Sequence, residues 1–215
     1  MASRPAPPQQ VRSRKSLRRM LDAAEVVLDK HGLDGATLRR IAAHAGLAPA
    51  TVYRRFPDKD ALMGAVFSRA SERNAEELAK PLDREQIRKM GIRNFSRQWI
   101  RAMIQGYRTR TGLVRASVLY ARQHQRAAFV RRQQELEVRG FRRLASLFLL
   151  WRGEIRHPHP ERAVAYAMVM VALALRELIL FGQAHLFAKL VPVSDEHLEK
   201  ELPRVFLGYL GVKAD

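Results

Sequence analysis

From Ser16 onward, Leu17, Met20, Leu21, Ala24, Val27 and Leu28 recur at the three- and four-residue spacing of one helical face. The pattern stops at His31-Gly32, where glycine supplies a left-handed cap, and "LDGA" reads as a turn. Thr37 is placed as the N-cap of a short helix through about Ala45, with Leu38, Ile41, Ala42 and Ala45 inward. Gly46 breaks that helix and Leu47 tucks in. Pro49 suits the first turn of the next helix, which Pro57 ends after Phe56. Asp58 then caps a longer helix through Leu62, Val66 and Phe67 towards Ala79.

Beyond Pro81 the apolar periodicity predicts helices over 84–109, 112–124, 126–153, 160–187 and 195–211. No alternating strand pattern and no repeat interrupts them. The fold class is all-α. The longest apolar run, Ala163 to Leu175, is bounded by Arg162 and Arg176. At that length it falls short of the ~20 residues of a bilayer span and reads as a buried helix.

Two helices of about eight residues around a glycine are not stable alone. They persist by packing on the Ser16–Lys30 helix, with Ala42 and Gly46 small enough for a close crossing. That arrangement is a helix-turn-helix unit. On its second short helix Val52 and Phe56 face inward, leaving Pro49, Ala50, Thr51, Tyr53, Arg54 and Arg55 for display. An arginine at such a position forks onto guanine in a major groove, and a threonine methyl meets that of thymine. Tyr53 and Lys59 are suited to phosphates, Lys59 lying beside a helix N-terminus.

"TLRRIAAHAGLAPATVYRRFPDKDAL", preceded by "LDKHGLDGA", closely resembles the N-terminal domain of TetR-family (TetR/AcrR-like) transcriptional regulators over about residues 14–67. The resemblance implies a homodimer whose paired units bind a palindromic operator on double-stranded DNA, and a larger C-terminal domain that dimerises and often holds a small-molecule inducer. Carried over by position, Thr37, Arg39, Pro49, Ala50, Thr51, Tyr53, Arg54, Arg55 and Lys59 are the DNA-contacting candidates. Ala48 departs from the family, which often has a capping residue there. The expected organisation is a flexible basic arm over 1–13, a DNA-binding domain over 14–60, and a ligand-binding and dimerisation domain over 61–215. Helices 160–187 and 195–211 are expected at the dimer interface, since "AVAYAMVMVALALRELILFG" is too apolar to face water all round.

Charge changes this picture in one respect. The formal net charge is +18, which points to an anionic partner. Residues 1–60 carry only +6 of it, whereas 84–156 carry +14. Arg93, Arg97 and Arg101 there fall at four-residue intervals, as a solvated basic face or a site for an anionic inducer or DNA flanks. In the arm, Arg12, Arg14 and Lys15 serve DNA or solubility. An alternative function follows from the basic block: a sequence-neutral architectural DNA-binding protein. A third is a ligand-binding or catalytic helical protein with a vestigial helix-turn-helix.

For an inducer, Trp99, Met103, Tyr107, Tyr120, His124 and Arg176 are the candidate residues, with Phe129, Phe141, Phe148 and Trp151 as further aromatics that read as plain core. Arg176 calls for an ion-pair partner if buried. There is no cysteine, hence no disulfide and no thiolate site, which agrees with a reducing cytoplasm. The first residues lack the apolar core of a secretory signal. "HPHP" at His157–Pro160 reads as a connector, not a metal site. With no nucleophile elbow, phosphate-binding glycine loop or paired carboxylates, no cofactor, no metal and no enzymatic activity are expected, and no membrane association.

Overall fold

The computed structural model describes residues 8–125, 127–182 and 189–213; side chains are described from Arg12 onward. Among the described residues ten α-helices run α1 (Pro8–Gly35), α2 (Leu38–Ala45), α3 (Pro49–Arg55), α4 (Lys59–Ala79), α5 (Arg84–Met90), α6 (Ile92–Thr109), α7 (Thr111–Gln123), α8 (Ala128–Phe148), α9 (Pro160–Arg176) and α10 (Asp195–Tyr209). A 3₁₀ stretch, Leu149–Glu154, follows α8, and a π turn, Glu177–Phe181, follows α9. The described residues contain no strand, in keeping with the all-α expectation.

The helices form two compact units, and the units do not follow chain order. One comprises Met1–Ser71 with Gly112–Val130, the other Glu72–Thr111 with Arg131–Asp215. In the first, Met20, Ala24, Val27 and Leu28 of α1 meet Ile41 and Ala42 of α2, Val52 of α3, and Leu62, Met63, Val66 and Phe67 of α4. α7 adds Leu113, Ala116 and Tyr120 to this core. Its N-terminus is tied to α1: the Asp29 carboxylate accepts from the Gly112 and Leu113 N–H groups at 2.9 and 3.1 Å. Gly112 is required there, because a Cβ would stand 2.0 Å from the Asp29 carbonyl oxygen. α4 is held to α1 by Arg69, whose guanidinium donates to the buried Glu25 carboxylate at 2.6 Å and pairs with Asp22 at 2.9 Å. Arg69→Ala removes two donors, Nε and Nη2, from the buried Glu25 carboxylate and is expected to destabilise the unit.

In the second unit Ile92, Ile100 and Ile104 of α6, Phe148 of α8, Trp151 of the 3₁₀ stretch, Val164, Met168, Val171 and Leu175 of α9, and Phe206 of α10 build the core. Trp99 packs edge-on to Phe148 at 5.5 Å and against Phe206 at 5.4 Å. Such aromatic pairs add about 0.5–1.5 kcal/mol each to the area they bury.

Three expectations change, and one break is kept. α1 begins at Pro8, inside the expected arm, because proline is tolerated at a first helical position; residues 1–7 of that arm lie outside the described residues. The break expected at Gly32 is present: its φ of 66° and ψ of −173° are non-helical, and the helical turn that runs on to Gly35 lies beyond this kink. The single helix expected over 84–109 is two, divided at Gly91, whose φ of 81° and ψ of 152° no helix tolerates. The apolar segment is longer than its sequence run implied. α9 and the π turn together span 22 residues, Pro160–Phe181, long and apolar enough by length and composition to cross a membrane. The end of the expected helix, 183–187, lies outside the described residues.

Candidate nucleic-acid interface

α3 has only seven residues and is anchored by two of its apolar positions. Val52 is fully buried and Phe56, its C-cap, nearly so. Burial of two such side chains contributes roughly 2–3 kcal/mol each, which holds the helix down without involving its outer face. That face carries Pro49, Ala50, Tyr53, Arg54 and Arg55, all exposed, with Thr51 half-buried at the edge. Tyr53 is 51% exposed, a large aromatic in water with no folding role. Arg54 makes no hydrogen bond among the described residues, so all five of its N–H donors are available.

The other candidates flank this helix. Thr37 caps α2, its hydroxyl accepting from the Arg40 N–H at 3.2 Å, and Arg39 is exposed in the first turn beside it. Asp58 accepts from the Ala61 N–H at 2.7 Å at the start of α4. Lys59 is half-buried and its Nζ donates to the Leu33 carbonyl at 2.6 Å. Arg55 Nη1 donates to the Ser13 hydroxyl at 2.8 Å, which ties α3 to the first turns of α1. Lys59 and Arg55 are therefore partly engaged within the unit, while Arg54 is not. At α3's own start, Ala48 makes no side-chain cap.

Two cations that the sequence did not single out complete this region. Arg40 Nη1 donates to the Gly35 carbonyl at 2.6 Å. Arg19 Nη2 donates to the carbonyls of Ala45 at 2.5 Å and Gly46 at 3.3 Å, reaching 26 residues along the chain to the turn between α2 and α3. No local signal marks Arg19; it looks like any exposed arginine on an amphipathic helix.

Residues 20–66, covering most of α1 through the first turns of α4, match the family model described as bacterial regulatory proteins, tetR family. That segment is a TetR-family DNA-binding domain. Solved structures with a similar fold include a TetR-family transcriptional regulator from Mesorhizobium loti, at 19% identity, TM-score 0.58, covering 94% of this chain and 98% of that one. A transcriptional regulator from Rhodococcus sp. Rha1 gives 20% identity and TM-score 0.60, covering 91% and 96%. The hemolysin II transcriptional regulator HlyIIR gives 15% identity and TM-score 0.56, covering 89% and 97%. At these identities the likeness is one of fold. No curated protein matches the chain. Within the matched segment the α2–α3 pair is the helix-turn-helix of a DNA-binding domain.

The inducer candidates separate into two groups. Tyr120 and His124 belong to the first unit, where Tyr120 is buried against Phe67 at 5.4 Å and its ring stacks on His124 at 3.9 Å. Burial, with Asp60 nearby, pushes the Tyr120 hydroxyl well above its ordinary range, so it stays neutral. Trp99, Met103, Tyr107 and Arg176 belong to the second unit, all half-buried. Burial raises Tyr107 above its ordinary value, with the nearby Arg176 acting against it. Arg176 Nε lies 3.7 Å from Glu177 Oε1 and is buried without a hydrogen bond among the described residues.

The basic face of α6 is largely committed. Arg101 forks onto Glu199 at 2.7 and 2.9 Å, and Arg108 pairs with Asp195 at 2.8 Å and donates to the Val193 carbonyl at 3.2 Å. Arg93 donates to the Lys213 carbonyl, while Arg97 is exposed. These arginines fasten α6 to α10 and its flanks. Among the described residues no cluster of metal-ligating side chains occurs, and His157 and His159 sit in the loop before α9, where the His159 N–H donates to His157 Nδ1 at 3.1 Å.

Proposed function

We propose that this protein is a homodimeric repressor of the TetR family that occupies a palindromic operator and leaves it when a small-molecule inducer binds. The observation that carries the dimer is an apolar face that folding leaves in water. On α9, Tyr166 lies three and four residues before Val169 and Met170, Leu173 four and three after them, and the four are 38–57% exposed. On α10, Val205 and Tyr209 are 63% and 44% exposed, with the Tyr209 ring 5.7 Å from that of Tyr166. A two-fold axis through this face brings four helices together and buries it against itself. The same axis relates two α3 helices and so requires a two-fold operator.

In this reading Arg54 and Thr51 meet base edges. Tyr53, Thr37, Arg39 and Lys59 hold phosphates, Pro49 and Ala50 allow close approach, and Arg55 contributes beside its bond to Ser13. The protein works in the cytoplasm, where the DNA is. For the inducer, the support is the buried Arg176 Nε beside Tyr107, an unmet donor in the second unit. Release requires only that the inducer prefer the conformation that does not fit DNA. The architectural alternative draws less support from the structure, since Arg93, Arg101 and Arg108 spend donors on protein oxygens.

The test is selection of duplexes from a random DNA pool by the purified protein at near-physiological salt. An enriched palindrome is expected, with half-site spacing equal to the separation of the two α3 helices. Salt-sensitive binding with no enriched sequence would replace the repressor by the architectural reading.

A further inference from the structure

Arg19 reaches the turn between α2 and α3, which Leu47 also anchors by packing on the core. The eight residues of α2 leave their last carbonyls without helical partners. The Leu47 and Gly46 N–H groups satisfy those of Ala42 and Ala43, at 3.0 and 3.1 Å. The Ala45 and Gly46 carbonyls are instead taken by one nitrogen of Arg19. A cation at a helix C-terminus is also favoured by the helix dipole. Gly46 adopts the left-handed conformation, φ 60° and ψ 42°, and a Cβ there would stand 2.9 Å from Arg19 Nη2. Glycine at 46 thus serves two ends, the backbone turn and the close approach of the guanidinium.

Directly after this turn comes α3, whose start lacks a side-chain cap because position 48 is alanine. Its first turn would be free to fray were the preceding backbone not held. Arg19 comes from α1, the longest helix of the unit, and grips that backbone from outside. We propose that Arg19 is a positioning residue for DNA reading: it fixes the angle at which α3 leaves the α2–α3 turn, holding the backbone just ahead of an uncapped helix start. This role rests on the reading in which α3 contacts bases.

Two properties separate it from the obvious alternative, a phosphate contact. A phosphate contact adds to all DNA alike and to the salt dependence, about one unit of slope per ion pair. A positioning residue acts on the difference between the chosen duplex and random DNA. The probes are the duplex that wild-type protein enriches from a random pool and a scrambled duplex of equal length. Arg19→Met keeps the apolar stem and removes the donors. It is expected to lower discrimination about tenfold, as for a lost charge-assisted hydrogen bond, with affinity for the scrambled duplex and its salt slope unchanged. Ala48→Ser, which restores a cap to α3, is expected to recover more discrimination in the Arg19→Met background than it adds to wild type.

Equal weakening on both duplexes with a slope about one unit lower would make Arg19 a phosphate ligand and overturn the proposal. Unchanged discrimination would overturn it as well. Should Arg19→Met unfold, Arg19→Lys carries the test: the charge is kept but the head is shorter, so discrimination drops while the slope stays, whereas a phosphate ligand would tolerate lysine. Failure of the wild type to enrich any duplex would overturn the operator reading, and this role with it.

Discussion

α3 and α9 both expose residues that the fold does not need, and they do so in opposite chemistry. α3 is a seven-residue helix anchored by Val52 and Phe56, with tyrosine and arginine outward. α9 is a seventeen-residue helix that buries Ala163, Val164, Ala167, Met168, Val171 and Leu175 and still shows tyrosine, valine, methionine and leucine to water. Exposed guanidinium is at home in water and awaits an anion without cost to solubility. Exposed apolar surface at helical spacing is a standing penalty that a second protein surface removes. In the proposed reading the first surface meets DNA and the second a copy of the chain.

The strongest way to break the contrast is to put charge on the apolar side. Val169→Glu with Met170→Glu would bury two carboxylates per protomer in the proposed interface. We expect dimer affinity to fall by at least about a hundredfold, with helicity retained because both sites are exposed in the single chain. Sedimentation at a range of concentrations reads this, and an unchanged oligomeric state would remove α9 from the interface.

On the polar side, Arg54→Ala should cost about 1–3 kcal/mol of discrimination between the selected duplex and its variants at one base pair per half-site. Arg55→Ala is expected to cost less, since its guanidinium is already tied to Ser13. Competition binding against single-base variants measures both, and equal losses would mean that the Ser13 bond gives way on DNA.

Lys59→Ala sharpens the separation of phosphate from base contacts. Affinity should fall alike on all sequences, with the salt slope lower by about one unit per protomer. Because Lys59 Nζ also holds the Leu33 carbonyl, a loss of about 1 kcal/mol in stability is expected alongside. A change of stability with no change of slope would leave Lys59 as an internal clamp alone.

The smallest effect concerns α7, which belongs to the reading unit through Tyr120. Its folded-state ionisation lies above the unfolded value of about 10, so the unfolded chain releases the proton first as pH rises. Stability from this group is therefore complete below pH about 10 and drains away as pH climbs beyond it. Tyr120→Phe should show a shallower alkaline loss of stability than wild type in denaturant titrations. Identical slopes would mean that Tyr120 meets solvent in the folded chain.

Much of the reading unit was legible in the sequence, because its features are local. Thr37, Gly46, Pro49 and Pro57 set helix ends through their own backbone preferences, and Leu38, Ile41, Ala42 and Ala45 declared their face by spacing. The family's residue types at these positions then named the chemistry. Where the reading went astray, a local signal was overridden or split: Gly91 divided a periodic segment, and Pro8 started a helix inside an apparent arm.

What the sequence by itself determined was an all-helical chain, a helix-turn-helix between Thr37 and Phe56, and an α3 surface offering Tyr53, Arg54 and Arg55. Only the tertiary structure decided which cations are spent. Arg19 on the α2–α3 turn, Lys59 on Leu33, Arg101 on Glu199 and Arg69 on Glu25 all reach 26 residues or more along the chain. It also decided that Gly112–Val130 packs with the N-terminal unit, and that Tyr120 is core there. The physical reason is range. Helix caps and faces follow from neighbours within a turn or two, whereas a guanidinium takes whatever oxygen packing brings to it.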